Sequence, residues 1–188
     1  MQPLLLSLAV LPALAVAAAA QSCPPAPDHR VALSTLMEEA QAAQSERDAR
    51  LISNRMWELW ADAPDELSQE MLDRGMQKRS GYDFLGAYED FDRLIAYCPD
   101  YAEGYNQRAF VSYLREDFPR ALDDLNTTLE IDPRHIAALS GKALTLMALG
   151  RLDEARVALA AALALNPWIP ERGLAAPSGP LAPKGKDI

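Results

Sequence analysis

The sequence predicts an all-α fold in which antiparallel helix pairs stack side by side, and three observations predict it. Pro99, Pro133 and Pro167 recur at a spacing of 34 residues, a period that marks a stacked array of supersecondary units. Small and large residues keep the same register against these prolines. Twelve residues before them stand Ala87, Ala121 and Ala155, twenty-four before stand Gly75, Ala109 and Ala143, and eight before stand Phe91, Leu125 and Leu159. The third observation is that apolar residues elsewhere recur at three- and four-residue steps, with no useful stretch of the alternation that a strand requires.

Residues 1–20 read as a secretory signal peptide, with no charged side chain, an apolar run from Leu4 and an Ala-rich end. As a helix, residues 4–20 would span about 25 Å, so an uncleaved membrane anchor is the alternative. The residue three places before Cys23 is Ala20, where a lipoprotein box has a large aliphatic side chain, which argues against lipidation. Residues 21–30 form a Pro-rich linker, because each proline fixes φ, lacks an N–H and biases its predecessor towards extended backbone. Residues 31–67 form a helical hairpin: Leu33, Leu36, Met37 and Ala40, then Leu51, Ile52, Met56 and Leu59, keep the helical period. Measured from Pro64, the repeat offsets fall on Leu36, Ala40, Ile52, Met56 and Leu59. This stretch is therefore either a degenerate further unit or a plain capping hairpin.

Three clear units follow, at 68–101, 102–135 and 136–169. In each, a small residue on the first helix and an alanine on the second allow close backbone approach, and bulky neighbours fill the gaps around them. The links "SGYDFLG", "REDFPR" and "LGRLDE" join the two helices, with Gly81 and Gly150 suited to helix ends or turns. Residues 170–188, rich in Pro, Gly and small side chains, read as a flexible tail.

The stretches "AEGYNQRAFVSYLREDFPRALDDLNTTLEIDPR" and "AALSGKALTLMALGRLDEARVALAAALALNPW" resemble the tetratricopeptide repeat family. The pattern lies in Tyr105 or Leu139, Ala109 or Ala143, Ala121 or Ala155, and the closing proline. The resemblance implies a right-handed superhelical array with a concave groove that takes a peptide or partner helix. By register, the groove residues would be Gln69, Leu72, Met76, Arg79, Glu103, Asn106, Phe110, Tyr113, Ala137, Ser140, Leu144 and Met147. One subgroup of the family clamps a C-terminal carboxylate with Lys, Asn and Arg. Here the matching positions hold Leu72, Met76, Gln107, Ala137 and Gly141, with Asn106 one place early, so that mode is not expected.

Charge narrows the partners. A net charge of -9 and a pI near 4.7 exclude nucleic acid and anionic membrane surfaces as expected partners, since both need an excess of Lys and Arg. The acidic runs "EDFD" and "DD" read as solvated helix faces rather than a catalytic dyad. His29 and His135 sit in a linker and a repeat junction, and no CxxC or HExxH spacing occurs. No catalytic, cofactor-binding or metal-binding residue is therefore expected. "NTT" at Asn126 matches a glycosylation acceptor but falls within a helix. Trp57, Trp60 and Trp168 read as core or end-capping aromatics, with a partner contact open for Trp168.

Two thiols in an exported chain commonly pair, and a Cys23–Cys98 bridge would pin the Pro-rich leader to the end of one repeat. Spacing alone does not bring the two together. The resulting expectation is an exported, periplasmic, non-catalytic scaffold that binds a protein or peptide. The alternatives are an accessory subunit of an envelope enzyme or cytochrome-maturation complex, and an enzyme with an unrecognised carboxylate site.

Overall fold

The computed structural model describes residues 22–182, so the signal-peptide reading of residues 1–20 lies outside the described residues. Within them the chain is all-helical: α1 (Arg30–Ala42), α2 (Glu46–Trp60), α3 (Glu66–Ser80), α4 (Phe84–Tyr97), α5 (Ala102–Leu114), α6 (Phe118–Ile131), α7 (Ile136–Ala148), α8 (Leu152–Leu165) and a 3-10 helix (Pro170–Ala175). No strand occurs among the described residues. Helices α3 to α8 pack as successive antiparallel pairs.

Local chemistry sets the ends of these helices. Asp65 and Ser68 form a capping box at α3, each accepting the other's backbone N–H at 2.9 Å. Ser45, Asp83 and Asp117 cap α2, α4 and α6. Cys98, Asp132 and Asn166 end α4, α6 and α8 with ψ of 73°, 92° and 103°, because each precedes a repeat proline that disfavours helical backbone. The turn inside each pair needs one left-handed residue, and these recur 34 apart as Tyr82 (φ 62°), Glu116 (φ 61°) and Gly150 (φ 74°). Only the third is a glycine. Gly81, expected from sequence at a helix end or turn, caps the end of α3 with φ -84°, and the left-handed position falls on the next residue, Tyr82.

Gly75, Ala109, Ala143, Ala87, Ala121 and Ala155 lie where the helices cross, all buried. Their bulky partners Phe91, Leu125 and Leu159 are buried beside them. At Gly75 the Phe91 ring leaves no room for a side chain: a Cβ there would lie 2.4 Å from Cε1 of Phe91.

Of the two readings that the sequence left open for residues 31–67, the capping hairpin holds, while the reading of 170–188 as a flexible tail differs from the structure. The hairpin α1/α2 does not extend the array as a unit stacked on α3 and α4. It crosses to the far end, where Leu33, Leu36, Met37, Ala40 and Met56 join one cluster with Leu146, Leu159 and Ala162. The amide of Gln41 donates to the Ala164 carbonyl at 2.9 Å, and that of Asn166 to Ser53 Oγ at 3.0 Å. The end of an array exposes an apolar face, and this hairpin covers it. The expected flexible tail is also packed over its described part, 170–182: Leu181 is 2 % exposed, its N–H bonds the Leu174 carbonyl at 2.9 Å, and Arg156 Nε holds the Ala182 carbonyl at 3.0 Å. Leu174, Ala175 and Leu181 supply apolar contacts that its composition as a whole obscures.

Cys23 and Cys98 form a disulfide. His29 and Asp62 meet at 2.7 Å, and the Tyr101 hydroxyl donates to the Trp60 carbonyl at 2.7 Å. Both ends of the segment 23–62 are thus anchored together near the end of α4, and its helices arch across the concave side.

Candidate functional site

Beneath that arch lies a cavity of about 620 Å3, within the usual size range for ligand sites. Its floor is the concave side of α5 and α7, with Phe110, Tyr113, Ser140 and Leu144. Arg79 enters from α3, Trp57 and Trp60 from the overlying α2, and Trp168 and Arg172 from the segment after α8.

Seven of the twelve residues expected in the groove line this cavity: Arg79, Asn106, Phe110, Tyr113, Ala137, Ser140 and Leu144. The other five do not. Leu72 is fully buried in a core cluster and Met76 packs against that cluster; Met147 packs against the N-terminal hairpin's cluster. Gln69 accepts from the Ala63 N–H at 2.9 Å and donates to Asp73 at 3.0 Å. Glu103 is 1 % exposed and forms part of an internal network. Gln69, Glu103 and Ala137 share one repeat position, yet only Ala137 reaches the cavity, because a finite array gives equal positions unequal cover. The roof residues from α2 and the wall residues 168–172 were not expected from register. Their signal in the sequence is Trp57 and Trp60, three apart on one helix.

The network under the cavity is built around Glu103. Its carboxylate accepts from the side-chain amides of Asn106 (3.0 Å) and Gln107, and from His135 Nε2 at 2.9 Å. His135 Nδ1 accepts the Ala138 N–H at 3.2 Å as the cap of α7. That nitrogen carries no proton, so the imidazole is neutral and Nε2–H is the donor to Glu103. Trp60 stacks on the His135 ring at 4.4 Å, and its indole N–H donates to Asp132 at 3.0 Å. Trp60 thereby fastens the roof to the array.

This network also positions Arg79. With its amide nitrogen committed to Glu103, Gln107 turns its oxygen to Arg79 Nη1. The guanidinium lies 4.9 Å from the Phe110 ring centroid, a cation–π distance. Burial pulls the Arg79 pKa below its ordinary value, and the Glu103 carboxylate offsets part of this.

Two carboxylates in the runs read as solvated are buried instead. Asp90, 0 % exposed, is held by Arg74 at 3.0 Å and Arg93 at 3.2 Å, with Lys78 at 2.7 Å from Oδ2 as an ion pair outside hydrogen-bond alignment. Asp124 takes a two-pronged contact from Arg108 at 2.9 and 2.7 Å. The Arg74–Asp90 and Arg108–Asp124 bridges lie 34 residues apart, a repeated clamp between the helices of a pair. Asp92 and Asp123 of the same runs are exposed. No group of three or more His, Cys, Asp or Glu that could hold a metal ion occurs among the described residues.

The arrangement offers an apolar, aromatic pocket lined by three arginines, of which Arg79 and Arg172 are half-buried. Among the described residues, no helix is long and apolar enough to cross a membrane. The family model described as tetratricopeptide repeat matches residues 113–167. A TPR repeat-containing protein of Rhizobium etli is 34% identical over 110 residues, covering 54% of this chain and 51% of that protein. A tetratricopeptide repeat protein 36 homolog of Nematostella vectensis is 42% identical over 65 residues, covering 35% of this chain and 36% of the relative. The chain thus spans about half of the first relative and about a third of the second. Among solved structures, the TPR2B domain of yeast Sti1, in its pHsp70 complex, superposes with a TM-score of 0.52 at 27% identity, covering 58% of this chain and 86% of that one. The helix pairs and their 34-residue register agree with these likenesses: the chain is similar to tetratricopeptide-repeat proteins, and residues 113–167 match that family's model.

Proposed function

We propose that the protein is a non-catalytic binding module that holds a short extended segment of a partner protein in the channel between α2 and the concave face of α5 and α7. The observation that carries this reading is the cavity of about 620 Å3, walled by Phe110, Tyr113, Leu144, Trp57 and Trp168. Aromatic and aliphatic walls bind by burying the partner's apolar side chains, and each large one fully covered contributes about 1.5–3 kcal/mol. The polar groups around Glu103 are engaged with one another and present no activated nucleophile. The similar yeast domain is itself described as a complex with pHsp70, which supports recognition of a protein segment.

The same reading places the protein outside the cytoplasm, in the periplasm. It is supported by the disulfide, which persists in oxidising compartments, and by the apolar leader.

A photo-crosslinker replacing Tyr113 in cells, compared with one replacing the outward-facing Val157 on α8, tests the groove. Capture of one defined protein from Tyr113, abolished by Phe110→Glu, supports it. Capture from Val157 with none from Tyr113 moves the binding surface elsewhere and ends this proposal.

A further inference from the structure

The roof of the channel is built to come away from the repeats as a unit. It docks on the last repeat, where Leu36, Met37 and Met56 share a cluster with Leu146 and Leu159, and where Gln41 meets the Ala164 carbonyl, Ser53 meets Asn166 and Glu46 meets Arg172. Its own burial is slight. Helix α2 buries two residues, Ala49 and Met56, against seven in each of α5 and α7. A terminal element with few buried side chains opens at lower free energy than the core it rests on.

Two covalent ties keep this hairpin over the channel. One is the chain itself, which runs on from Trp60 to Glu66 at the start of α3. The other is the Cys23–Cys98 bridge, which fastens the leader to the end of α4. Residues 24–28 are exposed, so the bridge, not packing, holds the leader. Pro24, Pro25 and Pro27 make the span from Cys23 to α1 a stiff spacer that passes the tie on to the helix. With both ends tied, the hairpin is presented to α8 at a high effective concentration; with one end free it swivels, and docking weakens. The two sulfurs differ in access: Cys98 is 1 % exposed, whereas Cys23 is half-buried and open to attack from solvent.

We infer that the Cys23–Cys98 bridge is a redox catch on the roof: closed, it holds α2 over the channel, and reduced by a dithiol it lets α1 and α2 swing off α8 together, so that a partner segment can enter or leave. That a segment occupies the channel rests on the function proposed above; that the roof opens does not. A thiolate of the dithiol attacks Cys23 Sγ, and the bond to Cys98 breaks with its electron pair on Cys98 Sγ, which takes up a proton. The dithiol's second thiol then displaces Cys23 from the mixed disulfide, leaving a Cys23 thiol and the dithiol oxidised to a disulfide. Two electrons and two protons pass to the chain, and oxidation reverses the step.

Hydrogen–deuterium exchange of the whole protein, with and without dithiothreitol, tests this with no partner present. Amides of α1 and α2 should exchange about 30- to 700-fold faster in the reduced protein, the range to which the usual cost of losing a disulfide converts. Those of α5 and α7 should keep their protection, which also shows that the repeats stay folded. A Cys23→Ser/Cys98→Ala protein should behave like the reduced parent whether or not the dithiol is added, and reoxidation of the parent should restore slow exchange. The chain's three tryptophans, Trp57, Trp60 and Trp168, all line the channel, so acrylamide, a neutral quencher, should reach them more readily after reduction. Equal protection of the hairpin in the two states, or unchanged quenching, overturns the inference because the roof then stays shut. Protection lost evenly from all the helices also overturns it, because the bridge then serves the whole fold. The groove reading fails separately, on the Tyr113 crosslinker.

Discussion

Replacing Gly75 by alanine tests the packing logic of the array at its tightest point. The new methyl group would lie 2.4, 2.7 and 2.8 Å from three ring carbons of Phe91, well inside van der Waals contact. Phe91 is fully buried, so the ring has no solvent to retreat into. Overpacking of this kind costs about 1–3 kcal/mol, and the better helix propensity of alanine returns about 1 kcal/mol. The expected net loss is up to about 2 kcal/mol, a fall of up to roughly 8 °C in Tm for a chain of this size. The other two units hold the same site with a different division of volume, Ala109 facing Leu125 and Ala143 facing Leu159. Phe91→Leu alone should cost about 1 kcal/mol by leaving a void. Combined with Gly75→Ala it should recover the arrangement of the other units, with a favourable coupling of about 1–2 kcal/mol. Urea unfolding followed by circular dichroism, run as a double-mutant cycle, measures this directly. Additive losses, or a gain from Gly75→Ala alone, would refute the claim that glycine is there to admit the ring.

Two further predictions address the covalent anchor and the buried charge. The Cys23–Cys98 bridge closes a separation of 75 residues, for which loop-closure entropy gives about 4.5 kcal/mol; reduction, or Cys98→Ala, should remove about 2–4 kcal/mol, and melting curves unchanged by reductant would contradict this. Asp90 is opposed by its own burial, yet the adjacent cations Lys78 and Arg74 hold its pKa below the ordinary value. A carboxylate depressed in the folded state stabilises above its unfolded pKa of about 3.9 and loses that contribution as pH falls through the folded value. Asp90→Asn should therefore lower the urea midpoint at pH 7 and flatten its decline below pH 4, and equal acid slopes for the two proteins would show that Asp90 is not responsible.

Much of the array was legible in the sequence because its determinants are local. The prolines and the small residues at helix crossings act within one helix pair, so a 34-residue period exposes them. The candidate groove was legible in part. Arg79, Asn106, Phe110, Tyr113, Ser140 and Leu144 follow from register, whereas Leu72, Met76 and Met147 turn into the core and Glu103 into a buried network. Register specifies the face of a helix and leaves open what lies across it. Asp90 and Asp124 show the same limit: an acidic residue beside an exposed acidic neighbour reads as solvated until an arginine sixteen residues earlier arrives from the facing helix.

By itself the sequence determined the helices, their ends, the pairing of neighbours and the repeated core positions, since each depends on contacts between residues close along the chain. Only the tertiary structure decided that the N-terminal hairpin passes over the concave face to α8, that Cys23 reaches Cys98, and that Trp60 seats on His135. Those contacts join segments about 70 to 120 residues apart. An amphipathic hairpin carries an apolar face that either end of the array could cover, and the one it covers is set by the shape of the whole folded surface.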